Sequence, residues 1–263
     1  MLKLAAIVSG VVLLIALAVL MGFLVPVRPF PPPEDAPVTW QPIPADLPEP
    51  VGRFARAMSP DGERLPVVGS ISYSGTGSAR PFGVWLPIRH TATIVPGRSM
   101  DRVMEFPWFS ATLIRAEDTY RDGAGRTTVS GLVQGVTEGP STDQGAYLAL
   151  AAESILVPSW QALAGAWEGV DVRRARLAFP YEGGTEHLLV TFDAETAFPT
   201  RIQADRFKSE EGPKTGWTIE LGPYRSTAQG LHAPSSFEVA WDDETGPWSR
   251  WTVDRMVVAS AAP

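Results

Sequence analysis

Few residues in this sequence stand at spacings that catalysis or metal binding demands. His90, His187 and His232 lie on three separate segments, and none has a second histidine or a carboxylate at metal-ligand spacing. They read as structural or surface histidines, so neither a metal site nor a cofactor is expected. No Gly-x-Ser-x-Gly elbow, His-Glu-x-x-His pair or P-loop occurs. Gly75-Thr76-Gly77 lacks the third glycine and following helix of a phosphate-binding loop, so residues 74–78 read as a hairpin turn. Asp242-Asp243-Glu244 has the chemistry to ligate a hard cation, yet its place between two strand patterns makes it a solvated turn. Glu117 and Asp118 are neighbours on a strand and point to opposite faces, which rules them out as a dyad. No catalytic residue is assigned.

Glu153 is different, because it falls inside an otherwise apolar pattern. Residues 141–163 form the one long helical pattern of a region that otherwise reads as strands. Tyr147, Leu148, Ala151, Ile155 and Leu156 recur at helical spacing, while Ala146, Ala149, Leu150 and Val157 fill the other side. A helix apolar nearly all round is buried, and a buried carboxylate needs a partner. Ser141 and Gln144 are spaced as a capping box, with Asp143 in the first turn and Pro158 as terminator or kink. In residues 201–208, period-two parity puts Ile202, Ala204 and Arg206 on one face. Arg206 is therefore the expected interior partner of Glu153, and removing either would cost ~3–5 kcal/mol. The alternative role for Glu153 is a functional acid in a pocket, with Glu117 or Asp205 as further candidates.

The elements that position these residues follow from patterning. The chain has 263 residues with 22 Lys+Arg against 29 Asp+Glu, a net charge of −7. That balance, with no basic run, argues against nucleic acid or anionic lipid as the main partner. The absence of cysteine excludes disulfides, thiol catalysis, cysteine-ligated zinc and an acylated lipoprotein cysteine. Residues 4–25 are uncharged and long enough to cross a hydrocarbon core of ~30 Å. The run exceeds a signal-peptide core and no small-x-small site follows, so residues 1–25 read as an uncleaved signal-anchor. Lys3 before it weakly favours a cytoplasmic N-terminus and a C-terminal domain outside the cytoplasmic membrane. Residues 26–50 are a proline-dense, semi-rigid linker. An SH3-type ligand is a second use of such a stretch.

Residues 51–263 read as one extracytoplasmic domain. Glu49–Met58 forms a short helix, and ten or eleven strands follow, joined by short turns. Few helical crossovers separate them, so pairing is antiparallel. The expected class is mainly β: a large curved antiparallel sheet, a half-barrel, wrapping one main helix.

Several segments in order resemble an uncharacterised family of bacterial membrane-anchored proteins. They are Leu47-Pro48-Glu49-Pro50-Val51, Asp118-Thr119-Tyr120-Arg121-Asp122-Gly123, Gly131-Leu132-Val133, Ala152-Glu153-Ser154-Ile155-Leu156-Val157-Pro158-Ser159 and Ala204-Asp205-Arg206-Phe207. The resemblance spans residues 47–258, departs at residues 95–105, and implies no catalytic residues. The strands–helix–strands order is also similar to the half-barrel of periplasmic lipoprotein carriers and lipid-binding lipoproteins, a likeness of fold.

The expected function is binding of an apolar ligand, a lipid, acyl chain or lipidated partner, in the half-barrel. Candidate lining residues are Trp85, Trp108, Leu148, Glu153, Ile155, Arg206, Trp217 and Trp241. The rival readings are a ligand-free envelope module with apolar outer patches and a hydrolase-like enzyme using Glu153 or Glu117. That enzyme would need a second group within hydrogen-bond reach.

Overall fold

Apolar residues at every second position give the longer strands one buried face, and fourteen strands pair in a single sheet. The computed structural model describes residues 2–34, 36–157 and 165–260. An apolar helix, α1 (Leu2–Leu24), whose one charged residue is Lys3, precedes a short strand pair, β1 (Trp40–Pro42) with β2 (Arg64–Pro66). Between that pair lies α2 (Glu49–Met58), whose Val51, Phe54, Ala55 and Met58 are buried, at the bounds the sequence predicts.

The first half of the sheet is a meander: β3 (Ser70–Ala79), β4 (Leu86–Val95), β5 (Ser99–Trp108), β6 (Ala111–Arg121), β7 (Ala124–Gly131) and β8 (Gly135–Glu138). The second half runs through β9 (Ala166–Gly169), β10 (Arg174–Tyr181), β11 (Gly184–Phe192), β12 (Pro199–Phe207) and β13 (Lys214–Leu221). A two-stranded flap, β14 (Tyr224–Ser226) with β15 (His232–Pro234), follows. Then β16 (Ser236–Trp241), β17 (Ser249–Thr252) and β18 (Arg255–Ala259) join the two halves, with β17 and β18 both pairing β3. Every pairing is antiparallel. The strand count exceeds the ten or eleven expected because the short strands β8, β9, β17 and β18 carry too few residues to show a period.

The two edges of this open sheet are β8 and β9, and α3 (Pro140–Ser154) lies in the chain between them. The helix lies against β7, β6 and β12 on the inner face. Leu148, Ala149, Leu150, Ala152 and Ile155 are buried in one core with Ile88, Met104, Val190, Ile202, Ile219 and Val239. The sequence reading of a buried helix inside a curled sheet is thus the fold observed.

Two local readings are corrected. Residues 74–78 are no turn but the middle of β3. Its glycines serve close approach: a Cβ at Gly75 or Gly77 would run into the Thr252 or Arg250 carbonyl of β17. The predicted capping box also does not form. Gln144 instead bonds Glu186, the Asp205 carbonyl and the Phe207 amide. Glu210 takes over the cap, accepting from the Ser141 amide at 3.3 Å and the Thr142 amide at 2.6 Å. The predicted stop at Pro158 lies outside the described residues.

Candidate functional site

Because α3 spans the mouth of the sheet, it borders a cavity on each side. On one side is an apolar groove of about 210 Å³ between α3, β10 and the turn joining β4 to β5. Tyr147, Leu150, Ala151 and Ile155 come from the helix, and Leu177 and Phe179 from β10. Tyr147 anchors one end of this side. Its ring stacks on Tyr120 at 5.5 Å and Tyr181 at 5.3 Å, and meets Phe179 edge-on at 5.2 Å.

On the other side, the inward faces of β5, β6, β7 and β12 meet the first turns of α3 around a second cavity. Arg102, Asp118, Arg206 and Lys208 line it. The parity argument holds for Arg206: it faces the helix and packs on Gly145. The predicted Glu153–Arg206 pair, however, does not form. Glu153, only 5% exposed, is paired with Arg102 and accepts a 2.5 Å hydrogen bond from Tyr73. Arg102 also reaches Asp118 at 3.5 Å. The reason is register. Met100, Arg102, Met104 and Phe106 share the inward face of β5, which delivers an arginine to the last turn of α3. Arg206 sits instead beside its first turns, over the Trp217 ring at 4.9 Å and the Trp241 ring at 5.6 Å. Burial and the neighbouring Arg102 charge push its pKa down to about 10, so it stays charged at neutral pH.

The signal for Arg102 was present in the sequence: an arginine at an inward position of an otherwise apolar alternation, in the segment that departs from the familiar pattern. Glu117 points outward to Arg115 at 2.5 Å, and Asp205 is exposed. Neither shares a cleft with Glu153. His90 is buried, with a ring nitrogen 2.8 Å from the Thr252 carbonyl and its ring 4.5 Å from that of Trp251. Burial lowers its pKa to about 4. The acidic turn is held by Lys208, 3.2 Å from Asp243 and 2.5 Å from Glu244. Among the described residues no acidic or histidine cluster is arranged to hold a metal.

The other candidates separate. Ile155 lines the apolar groove, whereas Leu148 is sealed in the core. Trp217 and Trp241 face each other across β13 and β16 on the inner side, beneath Arg206. Trp85 and Trp108 are not in the interior, and their expected lining role is corrected. Trp85 lies in the β3–β4 turn against Arg80 and Arg250. Trp108 donates to the Val19 carbonyl of α1 at 3.0 Å, and the next amide, of Phe109, donates to the Gly22 carbonyl at 3.1 Å. In a meander, alternate turns fall at one end of the sheet. The β3–β4, β5–β6 and β7–β8 turns therefore share the end that meets α1. Their Phe82, Val84, Phe109 and Leu132 are exposed.

The sequence profile of a family of unknown function, DUF6544, matches residues 37–253. The chain belongs to this family. The uncharacterised family expected from the ordered segments is thereby established for the DUF6544 chain. No curated protein matches it. The DUF6544 chain is similar to a LolA superfamily protein from Nitrosomonas europaea at 10% identity, covering 83% of this chain and 96% of that one, with a TM-score of 0.46. It is similar to a DUF1329 family protein from Desulfovibrio piger at 9% identity, covering 80% and 93%, with a TM-score of 0.39. A domain described under outer membrane lipoprotein sorting, from Vibrio parahaemolyticus, aligns at 10% identity over 78% and 88%, with a TM-score of 0.38.

Proposed function

We propose that this DUF6544 chain is a membrane-tethered, extracytoplasmic protein that binds an apolar ligand, a lipid or acyl chain, in the groove beside α3. The groove itself is the observation behind this reading. Tyr147, Leu150, Ala151, Ile155, Leu177 and Phe179 wall a space of about 210 Å³, and among the described residues Ser154 is the one side-chain hydroxyl at the rim besides Tyr147. Pockets for drug-sized molecules run roughly 300–1,000 Å³. The smaller groove suits a segment of alkyl chain, with the remainder of the molecule outside. Burial of each methylene is worth ~0.8 kcal/mol, so about ten buried carbons correspond to the roughly 8 kcal/mol of micromolar binding, and a handful to millimolar binding.

The tether is residues 1–25, with residues 26–50 as spacer and residues 51–263 as the functional domain. Ile7–Leu24 is long and apolar enough to cross a membrane. Exposed Phe82, Val84, Phe109 and Leu132 at the sheet end next to α1 suit the headgroup boundary, where aromatic side chains concentrate. The groove borders the β4–β5 turn, at the opposite end of that meander.

The test is displacement of a fluorescent fatty-acid analogue from the full chain in mild detergent. Wild type is expected to bind saturably and to release the probe to unlabelled acyl chains. Ala151→Phe, which fills the groove from a partly exposed helix position, is expected to weaken binding tenfold or more. Equal affinity in the two proteins would overturn the groove as the site.

A further inference from the structure

The cavity on the other side of α3 is polar, and its charges do not balance. It measures about 210 Å³ and is lined by four cations, Arg102, Arg126, Arg206 and Lys208, against one carboxylate, Asp118. Three of the cations have acids of their own. Arg102 is held by Glu153 and Asp118, Arg126 by Glu138 at 2.8 Å, and Lys208 by Asp243 and Glu244. Asp118 is itself engaged, accepting from Thr127 at 2.7 Å. Arg206 has no carboxylate in salt-bridge range among the described residues, and its Nε is sealed from solvent with no hydrogen-bond partner.

The fold holds Arg206 in that state. Trp217 and Trp241 stack beneath the guanidinium, and Gly145 leaves room above it, since a Cβ there would lie 2.9 Å from Nε. A planar fork fixed on aromatic rings presents its remaining N–H donors in one direction, the geometry that meets two oxygens of one anion. A desolvated charge with no carboxylate in direct contact, and Asp118 acting on it only from a distance, is costly to keep, so an arginine built in this way is matched to something that arrives. The amides at the start of α3 are not that site, because Glu210 already occupies them.

We propose that this cleft binds a phosphate-type oxyanion carried on a larger molecule, with Arg206 as the bidentate anchor and Arg102 and Lys208 supplying field. The hydroxyls of Thr137 and Ser209 complete the wall. A cavity of this volume has room for several waters. A phosphoryl group fills only part of that, which leaves space for the group it esterifies. The same chemistry is offered by a soluble phosphate ester and by a phospholipid headgroup. The cleft and the apolar groove lie on opposite sides of α3, so this inference stands apart from the acyl-chain reading.

The test is calorimetric titration of the full chain in neutral detergent with three probes: inorganic phosphate, glycerol 3-phosphate and dihexanoyl phosphatidylglycerol below its micellar concentration. Saturable binding of glycerol 3-phosphate, with or without inorganic phosphate, identifies a soluble ester as the source. Saturation by the short-chain lipid alone identifies a headgroup. Either supports the site. Arg206→Met keeps the stem and removes the fork, and is expected to weaken binding tenfold or more. It should leave the fatty-acid probe of the groove unaffected. Thr137→Glu, on the exposed edge strand β8 where folding tolerates change, places a carboxylate in the cleft and is expected to weaken binding to the same degree. No saturable binding by any probe, or binding that neither variant weakens, would overturn the proposal.

Discussion

The two sides of α3 have cavities of equal size and opposite character. One is walled by Leu150, Ile155, Leu177 and Phe179, the other by Arg102, Arg206 and Lys208. The helix adds apolar bulk to one side through Tyr147, Leu150 and Ile155 and small or hydroxyl residues to the other through Ser141, Thr142 and Gly145, but it places no charge on either. The strands decide it: β10 presents leucine and phenylalanine, whereas β12 and β5 present arginine at inward positions. A helix that is apolar nearly all round therefore serves as a neutral partition, and the sheet determines what each side is able to hold.

The largest expected effect comes from the contact that pins the partition. Glu153 on α3, Arg102 on β5 and Tyr73 on β3 form one buried cluster. Glu153→Gln leaves Arg102 only its 3.5 Å contact with Asp118 and is expected to destabilise less, whereas Arg102→Met strands Glu153 and is expected to cost about 3–5 kcal/mol. In a chain of this size, that lowers the melting temperature by about 6–20 °C. The double variant is expected to recover part of the loss. Unchanged melting in either single variant would show that the partition is held in another way.

Two substitutions separate the sides. Gly145→Val pushes a methyl-bearing Cβ against the Arg206 guanidinium and is expected to reduce phosphate-ester affinity about tenfold. Overpacking adds a stability cost of ~1–3 kcal/mol. Groove occupancy by the fatty-acid probe should persist. Ala151→Phe is expected to do the converse. If either variant weakened both ligands equally, the two cavities would be a single site.

The smallest effect tests a group that lines neither cavity. Burial lowers the pKa of His90 to about 4, below its ordinary value near 6.5. The folded state therefore binds fewer protons than the unfolded state between those values, and stability falls as pH drops through that window. At pH 5.5 the loss is roughly 1 kcal/mol relative to pH 7.5. It is measured as the difference in pH-dependent melting between wild type and His90→Phe, which removes the titration. Coincident pH profiles would contradict a neutral, desolvated His90.

Much of the fold was legible in the sequence because periodicity reports directly on burial. The bounds of α2, the buried helix among antiparallel strands and the inward parity of Arg206 all follow from spacing. The lost details depend on tertiary proximity. Gly75 and Gly77 look like turn residues until β17 is seen lying against them. Arg102 becomes the partner of Glu153 only once β5 is in register beneath the end of α3. The tryptophans show the same limit: composition marks them as large apolar groups, yet Trp108 serves the α1 contact while Trp217 and Trp241 carry an arginine. The groove joins α3 to β10, and no local pattern announces which strand a helix will face.

Native mass spectrometry of the full chain, released from mild detergent after purification from a lipid-containing host, tests the apolar groove most directly. Wild type is expected to retain an added mass that solvent extraction identifies as an acyl-chain lipid, and Ala151→Phe is expected to lose it. A bare wild-type mass across several detergents, or equal lipid retention in both proteins, would contradict a lipid-binding groove beside α3.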